Sequence, residues 1–80
     1  MNENIVNATF TSEFDGGAYV FTTACKVNLD TKEVFDIEKY DGPEVNATDS
    51  LDREYITLPD GTEHEVCEKS EAGPGDFFYN

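Results

Sequence analysis

The sequence has few of the side chains that usually carry out chemistry. Its 80 residues include no tryptophan, one histidine and two cysteines. A Cys–His nucleophile pair needs the two side chains within hydrogen-bond reach of each other. His64 and Cys67 have opposite parity on one predicted strand, so they would face opposite sides of a sheet. A small β domain also rarely encloses the cleft that a carboxylate-based glycosidase needs. The sequence therefore predicts no catalytic residues and a protein that is not an enzyme.

The sequence also gives no reason to expect a metal or a cofactor. Cys25, His64 and Cys67 are only three soft ligands and include no close cysteine pair, whereas a structural zinc site takes four ligands. No stretch has the spacing of acidic residues and the flanking helices of a calcium-binding loop. Because thiols normally stay reduced in the cytoplasm, Cys25 and Cys67 are predicted to be unpaired and mostly buried.

Basic residues are scarce as well. Five Lys and Arg face 18 Asp and Glu, and the formal net charge is −13. Because phosphate backbones are bound through Lys and Arg, this balance argues against direct binding of nucleic acid or of anionic membranes. No apolar run approaches the ~18 residues of a membrane span. The sequence begins without the basic and apolar regions of a secretory signal, so a cytoplasmic location is expected.

The residues that are present suffice for one compact core. Hydrophobic residues make up 38% of the chain, and six Phe and four Tyr bring a large apolar area per residue. A disordered chain would have few aromatic and β-branched residues, and this chain has many of both. We therefore expect a single small acidic domain over residues 1–80.

Alternation of apolar and polar side chains predicts β-structure along most of the chain. Clusters of Gly, Pro and Asp separate the alternating segments. The predicted strands are 5–14, 18–29, 33–40, 53–58 and 62–68. The expected fold class is all-β or β-rich α+β, a small five-stranded antiparallel meander that forms an open sheet or a small barrel. It would contain at most one short helical turn, capped within residues 48–50.

The end of the sequence combines a linker composition with adjacent aromatics. Residues 69–76 contain Gly-Pro-Gly and are predicted to be a flexible linker. The tail after them carries Phe77, Phe78 and Tyr79. Three adjacent aromatic side chains are expected to be buried, either back on the sheet or against a partner or a second copy, where aromatics often dominate the binding energy.

The acidic residues are spread through every segment, and two pairs share strand faces in the predicted sheet. Asp36 and Glu38 form one pair, and Glu63 and Glu65 form the other. Alternate residues on a strand lie about 6.6–6.8 Å apart, a scale comparable to the spacing of phosphates along DNA. We expect these four carboxylates to form an exposed acidic face that binds a basic protein surface.

Two hypotheses of different classes follow from these features. The first is a non-enzymatic interaction module that acts through its acidic surface, in its sharpest form an inhibitor or a mimic of the nucleic-acid backbone. The second is a structural or assembly subunit, such as a homodimer, held by apolar contacts and made soluble by its charge. Salt separates them, because rising ionic strength weakens electrostatic contacts and spares apolar ones.

Overall fold

The computed structural model describes residues 4–39 and 51–80 of the chain. Within these ranges the strands form a closed barrel, and single 3₁₀ turns lie at Asp15–Gly17 and Lys69–Glu71. The strands are β1 (Ile5–Phe14), β2 (Tyr19–Asn28), β3 (Glu33–Phe35), β4 (Leu51–Thr57), β5 (Glu63–Glu68) and β6 (Phe77–Tyr79). Around the barrel their order is β1-β2-β3-β6-β5-β4. The predicted small β-rich fold is therefore confirmed, and the predicted helical cap at 48–50 lies outside the described residues.

The hairpin of β1 and β2 follows the alternation that the sequence shows. Antiparallel pairing sets Ala8 opposite Cys25 and Val6 opposite Val27, so these side chains share the inner face of the barrel. The turn at Asp15–Gly17 requires left-handed backbone, with φ of +66° at Gly16 and +90° at Gly17. Glycine adopts these angles without steric cost, which explains why the chain reverses there.

The third strand is shorter than predicted. The sequence predicted a strand over 33–40, whereas β3 ends at Phe35. Asp36 has a φ of +50°, a left-handed conformation that breaks the strand alternation. The chain still follows β2, because the Glu38 N–H donates to the Ala24 carbonyl at 3.0 Å. The predicted strand residue Tyr40 lies outside the described residues.

The aromatic end of the chain, predicted to be a tail, forms a sixth strand. β6 lies between β3 and β5 and is parallel to both. A parallel connection normally takes a dozen or more residues, because the chain must return along the whole strand. Here Phe77 is level with Val66, only two residues before the end of β5, so a short connection is sufficient. The fold is therefore a barrel with two parallel pairings, where the sequence predicted an all-antiparallel meander.

The connection before β6 contains a hydrogen-bonded turn between Gly73 and Asp76, and the flexibility predicted for residues 69–76 stays a prediction. The Asp76 carboxylate accepts a 3.0 Å hydrogen bond from the Gly73 N–H, and the Asp76 N–H donates back to the Gly73 carbonyl at 3.1 Å. At the start of β6, the Phe78 N–H donates to the Lys32 carbonyl at 3.0 Å. These bonds position the short last strand in the gap between β3 and β5.

The core lies inside the barrel and draws on every strand. Its buried members are Phe10, Cys25, Val27, Val34, Ile56, Val66 and Phe77. Each strand supplies at least one of them, which is why the core forms only when the barrel closes. In residues 4–39 and 51–80 no helix is both long enough and apolar enough to cross a membrane.

Candidate functional site

Three strands extend beyond the others at one end of the barrel, which we call the open end. β1 remains paired with β2 as far as Phe14 and Tyr19, and with β4 as far as Phe14 and Leu51. By contrast, β4 and β5 are paired only where Tyr55–Thr57 meets Glu63–Glu65. Toward the open end β4 and β5 therefore separate, and a cleft forms between them.

This cleft has a volume of about 340 Å³ and is strongly acidic. Five carboxylates and one guanidinium line it, together with four other side chains. The acidic residues are Asp52, Glu54, Glu65, Glu68 and Glu71, and the cation is Arg53; Leu51, Val66, Cys67 and Tyr79 complete the wall. We call this feature the acidic cleft. An excess of carboxylates within one concave surface concentrates negative potential there and attracts cationic groups.

Arg53 neutralises only part of this charge. Its guanidinium lies 3.6 Å from the Glu65 carboxylate and 4.0 Å from that of Glu13 on the neighbouring strand. The same group stacks over the Tyr55 ring at 4.6 Å from the ring centre. Partial burial and the adjacent Glu13 carboxylate raise the pKa of Tyr55 above its ordinary value. Arg53 is thus engaged by its own neighbours, which leaves Asp52, Glu54, Glu68 and Glu71 as the excess negative charge of the acidic cleft.

Tyr79 connects the acidic cleft to the core. Its hydroxyl donates a 2.6 Å hydrogen bond to Glu54 Oε1, and its ring meets the Phe10 ring edge-on at 6.0 Å between centres. Burial, the hydrogen bond to Glu54 and the negative charge of Glu54 and Glu68 all raise the pKa of Tyr79. The phenol therefore stays protonated, and keeps donating to Glu54, up to a higher pH than an ordinary tyrosine would.

All four carboxylates of the predicted acidic face are exposed, but the structure does not bring them together. Asp36 and Glu38 follow β3 toward the open end, and Asp36 forms a 3.6 Å ion pair with Lys26. Glu63 begins β5 at the other end, and only Glu65 lines the acidic cleft. Glu63 and Glu65 share the outer face of β5, as their parity predicted, because they pair with Thr57 and Tyr55.

The three aromatic residues of the predicted contact have different environments. Phe77 is buried in the core, where its ring lies 4.8 Å from that of His64 and beneath the ammonium group of Lys32. Phe78 points outward beside Cys67 and is half-buried. Tyr79 faces inward and lines the acidic cleft. These residues belong to a strand of the barrel, and their role toward a partner or second copy stays a prediction.

Neither cysteine is paired with the histidine. Cys25 and Cys67 are free thiols, Cys25 buried and Cys67 half-buried, and their strands are separated by β3 and β6. His64 faces the interior beside Ile56, and its Nε2 lies 3.1 Å from the hydroxyl of Thr62. Within the described ranges, no group of three His, Cys, Asp or Glu side chains is arranged to hold a metal ion.

Four of the five acidic residues of the cleft were not predicted from the sequence, namely Asp52, Glu54, Glu68 and Glu71. They are ordinary acidic residues in the sequence, and two of them lie beyond the predicted limits of the strands. What groups them is the point at which β4 and β5 separate: beyond Glu65, β5 is paired with β6 and no longer with β4. The one available signal was the concentration of acidic residues in and around the fourth and fifth predicted strands, 53–58 and 62–68.

The fold and the acidic cleft together describe a small closed β-barrel with a negatively charged opening. No protein-family model matches the chain, no curated protein matches it, and no solved structure matches it. The geometry and charge of this chain are therefore what point to a function.

Proposed function

We propose that this protein is a non-enzymatic interaction module that binds a basic protein surface through its carboxylates, with the acidic cleft as the main contact. The observation that carries the proposal is the excess of charge in the cleft, where five acidic residues face one arginine that is already paired. A basic side chain of a partner would neutralise carboxylates that the chain itself leaves without a cation. Such contacts also accelerate association, by about 10–1,000-fold at low salt.

Inhibition of a nucleic-acid-binding protein is the sharpest form of this function. Glu63 and Glu65 support it, since they are exposed and stand two residues apart on one regular strand face. The left-handed Asp36 weakens the same argument for Asp36 and Glu38, because their spacing is no longer that of a strand. A mimic would compete with an oligonucleotide for its basic partner. A cytoplasmic location is the setting that we propose for this activity.

The test compares two charge reversals of equal size. One variant carries Glu68→Lys and Glu71→Lys in the acidic cleft, and its matched control carries Asp36→Lys and Glu38→Lys on the predicted face. All four side chains are exposed, so the reversals remove no core contact. Because Asp36→Lys also removes the ion pair with Lys26 and replaces a left-handed residue, circular dichroism first checks that both variants are folded. A partner captured at low salt from the source lysate is purified, and its affinity for each variant is measured by calorimetry at two salt concentrations.

Each outcome has a distinct meaning. Loss of affinity confined to the cleft variant supports the acidic cleft, and loss confined to the control moves the site to Asp36 and Glu38. Equal losses in both indicate a long-range effect of net charge without a defined site. If the affinity changes neither with the two reversals nor with the salt concentration, the proposal is contradicted. The protein is then better explained as a structural or assembly subunit held by apolar contacts.

A further inference from the structure

An exposed group of apolar side chains lies beside the acidic cleft at the open end. Phe14 pairs with both Tyr19 and Leu51, so the three share one sheet face, and the Phe14 ring also meets Phe21 edge-on at 5.9 Å between centres. Tyr19 is 50% exposed and Leu51 is 49% exposed. We call these four residues, Phe14, Tyr19, Phe21 and Leu51, the apolar tip. It lies on strands that extend beyond the closed part of the barrel and is outside the core.

The apolar tip and the acidic cleft are continuous with each other. Leu51 belongs to both, because it lines the cleft and pairs with Phe14 in the tip. Asp52 follows Leu51 and accepts a hydrogen bond from the Gly16 N–H, which fixes a carboxylate next to the hairpin turn. Glu54 lies opposite Ser12, two rungs from the Phe14–Leu51 pair. An apolar surface is thus bordered by carboxylates along one side.

This arrangement selects one kind of occupant. A second copy of the chain would bring another net charge of −13 against the same carboxylates, and like charges in one interface are costly. A neutral apolar segment would leave the carboxylates of the cleft without a cation and partly dehydrated. A segment with an apolar side chain flanked by Arg or Lys satisfies both surfaces at once.

We infer that the apolar tip and the acidic cleft form one docking surface for a basic amphipathic segment of a partner protein. This inference rests on the proposed function and adds the apolar half of the contact. An apolar side chain of the segment packs on Tyr19 and Leu51, and an adjacent Arg or Lys enters the acidic cleft. The apolar contact supplies affinity that salt does not screen, and the carboxylates select a cationic sequence.

The test uses two synthetic peptides of equal length and charge. One alternates Arg with Leu and the other alternates Arg with Ser; both are amidated. The tip variant carries Tyr19→Ser and Leu51→Ser. Its matched control carries Ile5→Ser and Ile37→Ser, which remove two apolar side chains of similar exposure, 39% and 38%, outside the tip. Thermal melts followed by circular dichroism check that every variant is folded, and affinities are measured by fluorescence anisotropy at physiological salt.

The expected result is that the Arg/Leu peptide binds the native protein and binds the tip variant about tenfold more weakly, while the control variant binds normally. The Arg/Ser peptide should bind more weakly than the Arg/Leu peptide and should not distinguish the tip variant from the native protein. If both peptides bind with equal affinity, or if the tip variant binds normally, the inference is overturned. The proposed function would survive that result provided that Glu68→Lys and Glu71→Lys still weaken both peptides.

Two further outcomes separate the remaining alternatives. If neither peptide binds, or if Glu68→Lys and Glu71→Lys leave the peptide affinities unchanged, both the inference and the proposed function are overturned. Sedimentation of the native protein tests whether a second copy of the chain occupies the apolar tip. A dimer that the tip variant dissociates and the control variant keeps would show that a second copy covers the apolar tip, which also overturns the inference.

Discussion

The hydroxyl of Tyr79 donates a 2.6 Å hydrogen bond to the carboxylate of Glu54, which links the last strand of the barrel to β4 across the acidic cleft. β4 and β6 are not neighbours in the sheet, because β5 lies between them. This side-chain bond therefore spans the region where β4 and β5 separate. It couples the stability of the barrel to the geometry of the candidate site.

Removing this hydrogen bond should destabilise the fold. We expect Tyr79→Phe to lower the free energy of unfolding by about 1–2 kcal/mol, because the half-buried Glu54 carboxylate loses its donor. Tyr19→Phe is the matched control, since it removes the same hydroxyl from a ring that is half exposed, and its effect should stay within about 0.5 kcal/mol. Urea unfolding measures both. Equal effects of the two changes would mean that the Tyr79–Glu54 bond contributes nothing to stability.

The same contact predicts a loss of stability in alkaline solution. The folded state raises the pKa of Tyr79 above its ordinary value of 10.0. Above about pH 10 the unfolded chain therefore ionises this phenol while the folded chain keeps it protonated, so the contribution present at lower pH is lost as the pH rises. The free energy of unfolding should fall less steeply above pH 10 in Tyr79→Phe than in the native protein. Parallel pH profiles of the two proteins would contradict this assignment.

The two thiols should differ in reactivity. Burial raises the pKa of Cys25 from 9.0 to about 11, and the pKa of the more accessible Cys67 is also raised. Because the thiolate is the reactive form, we expect iodoacetamide at mildly alkaline pH to modify Cys67 first, at least about tenfold faster than Cys25. Mass spectrometry of digested protein measures both rates. In denaturant the rates should converge, and similar rates in the folded protein would contradict the burial of Cys25.

The last strand should be indispensable for the fold. Deletion of residues 77–80 removes β6 and leaves β3 and β5 as open edges, so we expect the shortened protein to be unfolded. Phe77→Ala should cost about 3–5 kcal/mol, because Phe77 is a buried core residue, whereas Phe78→Ala on the outer face should cost about 1–2 kcal/mol. If Phe77→Ala does not fold, Phe77→Leu and Phe78→Leu still test whether substitution of Phe77 costs more stability than substitution of Phe78. A deletion variant with the native melting temperature would show that β6 is not part of the barrel.

The turn between β4 and β5 should be sensitive to its glycine. Gly61 has a φ of +88°, and nothing lies within 4 Å of a Cβ added there, so Gly61→Ala introduces backbone strain without a steric contact. We expect a cost of about 1–2 kcal/mol. Gly73→Ala is the control, because the backbone of Gly73 is not left-handed and its added Cβ would make an ordinary contact at 3.5 Å. Thermal unfolding compares them, and equal costs would argue against strain at Gly61.

Much of the fold could be predicted because it depends on local patterns. The alternation in residues 5–14 and 18–29 identifies the two long strands and their inner faces, and Asp15-Gly16-Gly17 marks the reversal between them. Period-two alternation and left-handed turn residues are properties of neighbouring positions, so the sequence displays them directly. The same reasoning placed His64 and Cys67 on opposite faces, which the pairing of β5 confirms.

The sequence by itself determined a small β-rich domain with an exposed excess of negative charge, because alternation and composition fix which side chains need burial and which need water. Only the tertiary structure decided that Phe77–Tyr79 enters the barrel between β3 and β5, and that β4 and β5 separate to form the acidic cleft. β6 has only three residues, which are too few to show the period-two alternation that identifies a strand in a sequence. The grouping of Asp52, Glu54, Glu68 and Glu71 follows from the end of the β4–β5 pairing at Tyr55 and Glu65, a contact between strands that the sequence alone does not display.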